Sequence, residues 1–176
     1  GDLLTTRESK KSYSKEIIDA VEAACSDIEI MRGNEGKIMQ DDLEIRLTLL
    51  ENILGKIMAD LPQEFINRKE RFKNRIEELL ESTEIEETRL LQEAAIMAEK
   101  SDVTEEAVRL KSHFEQFRMI LKEKKSAGRK LNFLLQEISR EINTIGSKSY
   151  SNKIVTLVID MKDEAEKIRE QIQNVL

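Results

Sequence analysis

The chain is poor in the residues that make tight turns: among 176 residues there are one proline, six glycines and no tryptophan. Folds built from strands need turn residues and β-branched residues at regular intervals. Leu, Ile, Glu, Lys and Ala dominate here instead, and most of these residues favour helices. The composition therefore predicts an all-α fold with almost no strand, in a chain long enough to bury a real core.

Cysteine is nearly absent too, because Cys25 stands alone. An intrachain disulfide and a cysteine metal cluster are excluded, and we expect a reducing, cytoplasmic setting with Cys25 buried as a small apolar residue. No stretch approaches the roughly 18 to 20 apolar residues of a membrane span, so no membrane partner is expected. The chain begins with Gly1 and not with Met, which suggests that it is part of something longer.

Charge is unevenly distributed along the chain, whose net charge is −6. Between Glu106 and Tyr150 there are ten Lys or Arg residues against five Asp or Glu residues. The overall negative charge argues against simple coating of nucleic acid, whereas the local excess suits a phosphate-binding surface on an acidic body.

The first third of the chain has a helical repeat of apolar residues, which predicts one long, nearly continuous helix from about Ser14 to Asp60 that packs along one stripe. The stripe comprises Ile18, Val21, Cys25, Ile28, Leu43, Leu47, Leu50, Leu54 and Ile57. Asp60-Leu61-Pro62 is expected to end this helix, because proline lacks an N–H group. A second helix should then run to about Leu80.

Four more helices are expected after that, of which the last is described below. Thr83 with Glu86, and Asp102 with Glu105, have the spacing of helix-capping boxes. The helix after Asp102 should run to about Lys125, a joint should follow at 126–128, and Gly146 should end the next helix as a C-cap.

The last segment has the most regular repeat, an apolar residue every three or four positions, which is typical of a coiled-coil seam. The seam comprises Ile154, Val158, Met161, Ala165, Ile168, Ile172 and Val175. We therefore predict one domain over 1–176, a bundle of long antiparallel helices with a coiled-coil-like C-terminal helix. Its parts are a helical arm (1–60), middle helices (62–125) and a C-terminal region (126–176).

Two carboxylates stand four residues apart after Gly128, where Glu137 and Glu141 would project from one helix face. They could share a divalent cation, or they could belong to a solvated face balanced by Arg140. His113, the only histidine, could act as a general acid or base, could ligate a metal through one nitrogen while Glu106 orients it, or could simply pair with Glu106 on the helix surface. A mechanism with two histidines of one chain is excluded.

Gly128-Arg129-Lys130 places two cations at an expected helix N-terminus, where phosphate contact and an unliganded basic tip are about equally reasonable. Residues 143–148 lack the leading glycine of a phosphate loop, so a nucleotide P-loop is rejected. Phe114, Phe117 and Phe133 have the spacing of packing residues.

Several stretches in combination resemble the C-terminal region of the YicC-like family of bacterial endoribonucleases. They include Ser101-Asp102-Val103-Thr104-Glu105-Glu106, Arg109-Leu110-Lys111-Ser112-His113-Phe114, Gly128-Arg129-Lys130-Leu131, Asn143-Thr144-Ile145-Gly146-Ser147-Lys148 and Glu166-Lys167-Ile168-Arg169-Glu170-Gln171. Asn132 stands where the family pattern usually has Asp. Proteins of this family carry a further N-terminal domain, so the resemblance implies that this chain is the helical middle and C-terminal part.

The resemblance also implies a metal-dependent endoribonuclease that hydrolyses RNA phosphodiester bonds, uses manganese or magnesium and forms a homo-oligomer such as a hexamer. RNA is the expected partner, and DNA is not expected. Combined with side-chain chemistry, it assigns catalysis to His113, Glu137 and Glu141, and metal binding to Asp102, Glu106, Glu137 and Glu141. It assigns RNA binding to Arg109, Arg129, Lys130, Arg140 and Lys148.

The alternative is a non-catalytic helical scaffold that oligomerises and binds RNA or a protein. The regular seam and the long first helix favour it, because both are suited to association. The two hypotheses differ in whether Glu137, Glu141 and His113 come together in the fold.

Overall fold

The protein was analysed as a computed structural model, which describes the backbone of residues 5–80, 87–123 and 127–175 and the side chains of 14–78, 88, 91–123 and 127–173. Within these ranges it contains five helices and no strand. The helices are α1 (Thr5–Leu80), α2 (Glu87–Ser101), α3 (Thr104–Leu121), α4 (Gly128–Lys148) and α5 (Asn152–Val175). The predicted all-α fold is confirmed. No helix of the described part is long and apolar enough to cross a membrane.

Contacts within the chain divide it into two units, Gly1–Asp42 and Leu43–Leu176; the prediction of one domain over 1–176 stays a prediction. In the first unit, the described side chains from residue 14 to residue 38 are all exposed. Ile18, Val21 and Ile28 are more than half exposed, and Cys25 is exposed as well. No other described element covers these side chains. For the chain by itself, the predicted packing of this part of the stripe is therefore wrong, and so is the predicted burial of Cys25.

The second unit contains the hydrophobic core, to which α1, α3, α4 and α5 contribute. From α1 come the remaining members of the predicted stripe, which are Leu43, Leu47, Leu50, Leu54 and Ile57. Phe114 and Phe117 of α3 are fully buried among them, as their spacing predicted, whereas the predicted packing of Phe133 is wrong because its side chain is 66% exposed. Ion pairs also join α1 to α3, since Arg118 donates to Glu44 at 3.0 Å and to Glu51 at 2.5 and 2.9 Å.

The predicted helix end at Asp60-Leu61-Pro62 is wrong, because α1 continues through Pro62 to Leu80. Proline inside a helix removes one backbone hydrogen bond and costs about 3 kcal/mol. Met58 lies one helical turn before Pro62, and Leu61 lies directly before it; both are packed against the core. Burial of apolar side chains on this turn offsets the cost of the proline.

Two other predicted boundaries need correction. Helix α3 ends at Leu121 and not at Lys125. Helix α4 continues past Gly146 to Lys148, so Gly146 is no C-cap. It lies against α5 instead: a Cβ atom added there would be 3.0 Å from Cγ1 of Val158. The expected capping box of Thr83 and Glu86 lies outside the described residues, as does Ser126 of the predicted joint.

The predicted seam of α5 is buried from Ile154 to Ile172, and the side chain of Val175 lies outside the described set. Its partners belong to this chain, because α5 packs against α4 and joins the same core cluster. The seam is therefore already occupied by helices of the second unit.

Candidate functional site

Helices α3 and α4 are antiparallel neighbours, and their shared edge carries most of the residues predicted to be functional. Lys148, at the end of α4, contacts Glu106 near the start of α3 with an Nζ–Oε1 distance of 2.8 Å. Further along, Nη1 of Arg109 is 3.5 Å from Oε1 of Glu141. The two ion pairs fix the register of the helices.

Glu106 is buried, with only 6% of its surface exposed. Its Oε1 atom accepts a hydrogen bond from Lys148, whereas its Oε2 atom is buried and has no hydrogen-bond partner among the described residues. Lys148 also donates to the backbone carbonyl of Asp102 at 2.9 Å. Two of its three donors are thus directed into the protein, and Lys148 connects the end of α4 to the start of α3.

Glu141 is buried as well, at 4% exposure, and Arg109 shields it from solvent on one side. Arg109 is itself exposed and donates to Glu105 in addition. The negative charge of Glu105 raises the pKa of Arg109, and Glu141 adds to the effect. Arg109 therefore lies between two carboxylates of the protein, so a phosphate would have to compete with them for it.

His113 and Glu137 occupy the next position along the same edge. His113 is one turn beyond Arg109 on α3, and Glu137 is one turn before Glu141 on α4, so the antiparallel register places them at the same level. Both side chains are half-buried. The Nδ1 atom of His113 is buried and has no hydrogen-bond partner among the described residues. The carboxylate of Glu137 lies 4.0 Å from Nη1 of Arg140.

Asp102 has a local structural role just before α3. Its carboxylate accepts a hydrogen bond from the backbone N–H of Thr104 at 2.9 Å. Hydrogen bonds from the side chain and the backbone of Thr104 hold the pKa of Asp102 below its usual value. The predicted capping box of Asp102 and Glu105 is therefore wrong, because Val103 is the residue at the N-cap position and no side chain caps the helix.

The two cations at the start of α4, Arg129 and Lys130, have different surroundings. Lys130 donates to Glu123 at 2.7 Å, whereas the side chain of Arg129 is exposed at the helix N-terminus. Arg129 is the member of the pair that is better placed to meet an external phosphate.

The predicted metal ligands are of the right chemical type, because magnesium and manganese prefer carboxylate oxygens. However, among the described residues no group of three or more His, Cys, Asp or Glu side chains is arranged to hold a metal ion. Glu106 and Glu141 each face a cationic side chain instead. The described residues by themselves do not form a metal site.

A shallow depression of about 520 Å³ lies along α4, with Arg169 of α5 at its side. We call it the α4–α5 groove; its lining residues, which include no carboxylate, are Gln136, Ser139, Arg140, Asn143, Thr144, Ser147 and Arg169. Arg140 was predicted to bind RNA. Arg169, which also pairs with Glu166 at 2.7 Å, was not predicted, since nothing in a single sequence shows which residue of α5 lies beside α4.

A second cavity, of about 640 Å³, brings the predicted residues Asp102 and Lys148 together with Arg68 and Tyr150. The guanidinium of Arg68 lies 3.5 Å from the centre of the Tyr150 ring. Neither residue was predicted to be functional. They are 82 positions apart along the chain, so only the fold shows that they meet.

Comparison with known proteins agrees with the resemblance seen in the motifs. Residues 57–176 match the model of the family described as endoribonuclease YicC-like, C-terminal. A protein of Clostridioides difficile named "Probable endoribonuclease YicC" is 46% identical over 157 residues, which are 89% of this chain and 54% of that protein. A Haemophilus influenzae protein of the same name is 33% identical over 164 residues, 93% of this chain and 56% of that protein. The chain spans about half the length of these relatives, and over that half it belongs to the YicC-like endoribonuclease family.

Proposed function

We propose that this chain is the helical part of an endoribonuclease that hydrolyses phosphodiester bonds of RNA. The observation that carries the proposal is the family match over 57–176, together with relatives that are named endoribonucleases. RNA is the substrate that such a name implies. The finer assignments below come from the chemistry and positions of the side chains.

The centre of the proposed site is the pair formed by His113 and Glu137 at the α3–α4 edge. An imidazole is the side chain best suited to move protons near neutral pH, and a half-buried carboxylate at the same level can orient it or the attacking group. His113 would take a proton from the attacking oxygen or give one to the leaving oxygen. Glu141 and Glu106 lie deeper along the same edge, where they hold Arg109 and Lys148 in place.

The α4–α5 groove is the proposed path of the RNA backbone. Arg140 lies within ion-pair distance of Glu137 and also lines the groove, so it connects the path to the proposed centre. The amide of Asn143 can donate hydrogen bonds to phosphate oxygens, whereas the hydroxyls of Ser139 and Thr144 donate to the backbone carbonyls of Leu135 and Arg140. No carboxylate lines the groove itself, but Glu137 and Glu166 lie beside its two cations, so an entering phosphate would compete with them for Arg140 and Arg169. Arg129 would add a further cation at the start of the same helix.

Dependence on manganese or magnesium is part of the proposal, with Asp102, Glu106, Glu137 and Glu141 as the carboxylates to test. Since the described residues do not form a complete metal site, no step is assigned to a metal. A cytoplasmic location stays a prediction.

The decisive experiment is cleavage of a labelled RNA oligonucleotide by this chain and by Glu137→Ala/Glu141→Ala, each with manganese and with chelator. A matched control is Glu115→Ala/Glu170→Ala, which removes two exposed carboxylates elsewhere on α3 and α5. We expect cutting by the chain and the control, and loss of cutting in the first variant. Because Glu141→Ala leaves Arg109 with one partner fewer, circular dichroism should establish that the variant is folded, and Glu137→Gln alone should also lose activity.

If the chain cuts RNA in the presence of chelator and His113→Gln abolishes that cutting, RNA cleavage remains in the proposal and the metal is removed from it. Cutting that survives in every variant would place the chemistry elsewhere. No cutting by the folded chain would favour the second candidate function.

That second candidate is the non-catalytic scaffold, and the exposed apolar side chains of residues 14–38 favour it. Ile17, Ile30 and Ile38 are each more than 60% exposed, which is unusual for several large apolar residues of one helix. Association into a homo-oligomer such as a hexamer would cover such a surface. Sedimentation analysis of this chain tests the association directly, and a strictly monomeric chain at high concentration would count against it.

A further inference from the structure

The cavity beside Tyr150, here called the Tyr150 cavity, is lined by Asp102 and Lys148 but by neither His113 nor Glu137, the proposed centre of cleavage. It lies entirely within the second unit, between the Met58–Arg71 part of α1, the end of α2 and the segment that joins α4 to α5. Its volume of about 640 Å³ is in the range of sites that hold small organic groups. Apolar atoms of Met58, Leu61 and Phe65 form much of its wall.

The aromatic ring of Tyr150 lines this cavity and is contacted by the guanidinium of Arg68. Tyr150 is 56% exposed, although it belongs to a short segment between two packed helices. Arg68 lies over the ring at 3.5 Å and also donates to the hydroxyl of Ser101 at 3.2 Å. This contact orients the ring, and an exposed ring that is already oriented loses little conformational freedom when a second flat group stacks on it.

A further cavity, with mainly polar lining residues, adjoins the Tyr150 cavity and shares Glu64, Arg71, Tyr150 and Ser151 with it. Its volume is also about 640 Å³, and its lining adds three amide side chains and Lys153. The amide residues are Asn67, Asn74 and Asn152. The ring of Tyr150 therefore stands between an apolar space and a polar one.

The charges around both cavities nearly balance, which argues against a site for a free anion. Arg68, Arg71, Lys148 and Lys153 are opposed by four carboxylates. The carboxylates are Glu64, Glu70, Glu99 and Asp102. Lys148 and Lys153 are further engaged by Glu106 and Asp60. A neutral flat ring with N–H groups at its edge suits this environment better than a phosphate, since carboxylates accept hydrogen bonds from such edges.

We propose that the Tyr150 cavity binds one unstacked nucleobase of single-stranded RNA, with the base stacked on Tyr150 and its sugar directed toward the amides of the polar cavity. The inference rests on the proposed function, because RNA is the nucleic acid concerned. Aromatic rings bind bases of single strands with little dependence on sequence. The site would hold the strand beside Asp102 and Lys148, in a cavity whose lining includes neither His113 nor Glu137.

The test uses the tyrosine itself as the reporter. The chain has two tyrosines and no tryptophan, so in a Tyr13→Phe background all tyrosine emission comes from Tyr150. A short oligoadenylate RNA, an abasic RNA with the same number of phosphates, and AMP are each titrated in the presence of chelator. We expect oligoadenylate to quench the emission, and the abasic RNA to leave it unchanged.

The affinity for labelled oligoadenylate is then measured by fluorescence anisotropy for Tyr150→Leu and Tyr150→Phe, with Tyr13→Phe as the matched control. Stacking on an aromatic ring predicts roughly 5- to 150-fold weaker binding for Tyr150→Leu. Tyr150→Phe keeps the ring and should bind within about twofold of the control. Circular dichroism establishes that both variants are folded.

The inference is overturned by equal binding of abasic RNA, by unchanged affinity of Tyr150→Leu, by absence of quenching, or by binding of AMP without binding of RNA. Because the titrations measure binding without cleavage, their result is separate from that of the nuclease assay. If Tyr150→Leu cuts RNA as well as the chain without this substitution does, and binds it with the same affinity, the proposed function stays intact and only this site is excluded.

Discussion

The two units of the chain share the same apolar repeat but use it differently. In Leu43–Leu176 the repeat of α1 is buried, with Leu47, Leu50 and Ile57 at 0% exposure. In Gly1–Asp42 the same three- and four-residue spacing leaves Ile28 at 54% exposure and Val21 at 56%. A periodic stripe therefore identifies a helix and its apolar face, but it does not identify what covers that face. Four predictions test how far this difference extends.

The largest effect is expected from truncating the same residue type in each unit. Ile142→Ala removes a fully buried side chain of α4 and should lower the free energy of unfolding by about 2 to 5 kcal/mol. Ile28→Ala should change it by less than about 0.5 kcal/mol, because that side chain is largely exposed. Urea denaturation followed by circular dichroism measures both values. Similar losses at the two positions would mean that residue 28 is covered in solution, by another copy or another part of the protein.

A smaller effect is expected from removing one lysine charge in each unit. Lys148→Met leaves the buried carboxylate of Glu106 without its cation and should cost about 1 to 2 kcal/mol, a value reduced for the partial exposure of Lys148. Lys37→Met, on the exposed part of α1, should change the free energy of unfolding by less than about 0.5 kcal/mol. Thermal denaturation of both variants gives the comparison. Adding Glu106→Gln to Lys148→Met should recover stability; if it does not, the loss has another origin.

Replacing a glycine by alanine should change stability differently in the two units, because the space around the glycine differs. Alanine at Gly33 meets no atom within 4 Å, so it should stabilise the helix by about 0.5 to 1 kcal/mol. Alanine at Gly146 meets Cγ1 of Val158 at 3.0 Å, so its gain should be smaller or reversed. Amide hydrogen exchange near each position measures the change. Val158→Ala combined with Gly146→Ala should show a favourable coupling, and its absence would contradict the close contact.

The smallest effect is a pH dependence at the start of α3. The pKa of Asp102 is lower in the folded chain than its usual 3.8, because Thr104 donates hydrogen bonds to the ionised form. Its contribution to stability is therefore present above about pH 3.8 and is lost as the pH falls through the folded pKa. Asp102→Asn should be less stable than the unchanged chain at pH 6, and the difference should shrink in acid. Urea midpoints at several pH values test this, and a difference independent of pH would contradict it.

Much of the fold was predictable from local pattern, while the helix boundaries were less so. The burial of the stripe from Leu43 to Ile57 and of the seam from Ile154 to Ile172 followed from apolar spacing alone. The predicted helix end at Pro62 and the predicted C-cap at Gly146 were wrong for the same reason. In both cases packing against other helices outweighed the local preference of a single residue.

The motifs name candidate site residues, and their roles stay predictions; the arrangement of these residues is visible only in the fold. The motifs pointed to Asp102, Glu106, His113 and Glu141, and the fold places all of them at or near the α3–α4 edge. That Glu106 and Glu141 would be buried beside cations was not visible in their spacing. The Arg68–Tyr150 contact was missed altogether, because it joins segments far apart in the sequence.

The sequence by itself determined that the chain is helical, where its apolar faces lie and which family its motifs resemble, because these properties depend on neighbours within a few turns. Only the tertiary structure decided which apolar faces are covered, which carboxylates are neutralised by cations and which distant residues line one cavity. These outcomes depend on contacts between helices, and the free energy of burying a side chain or a charge is set by the groups that surround it in space.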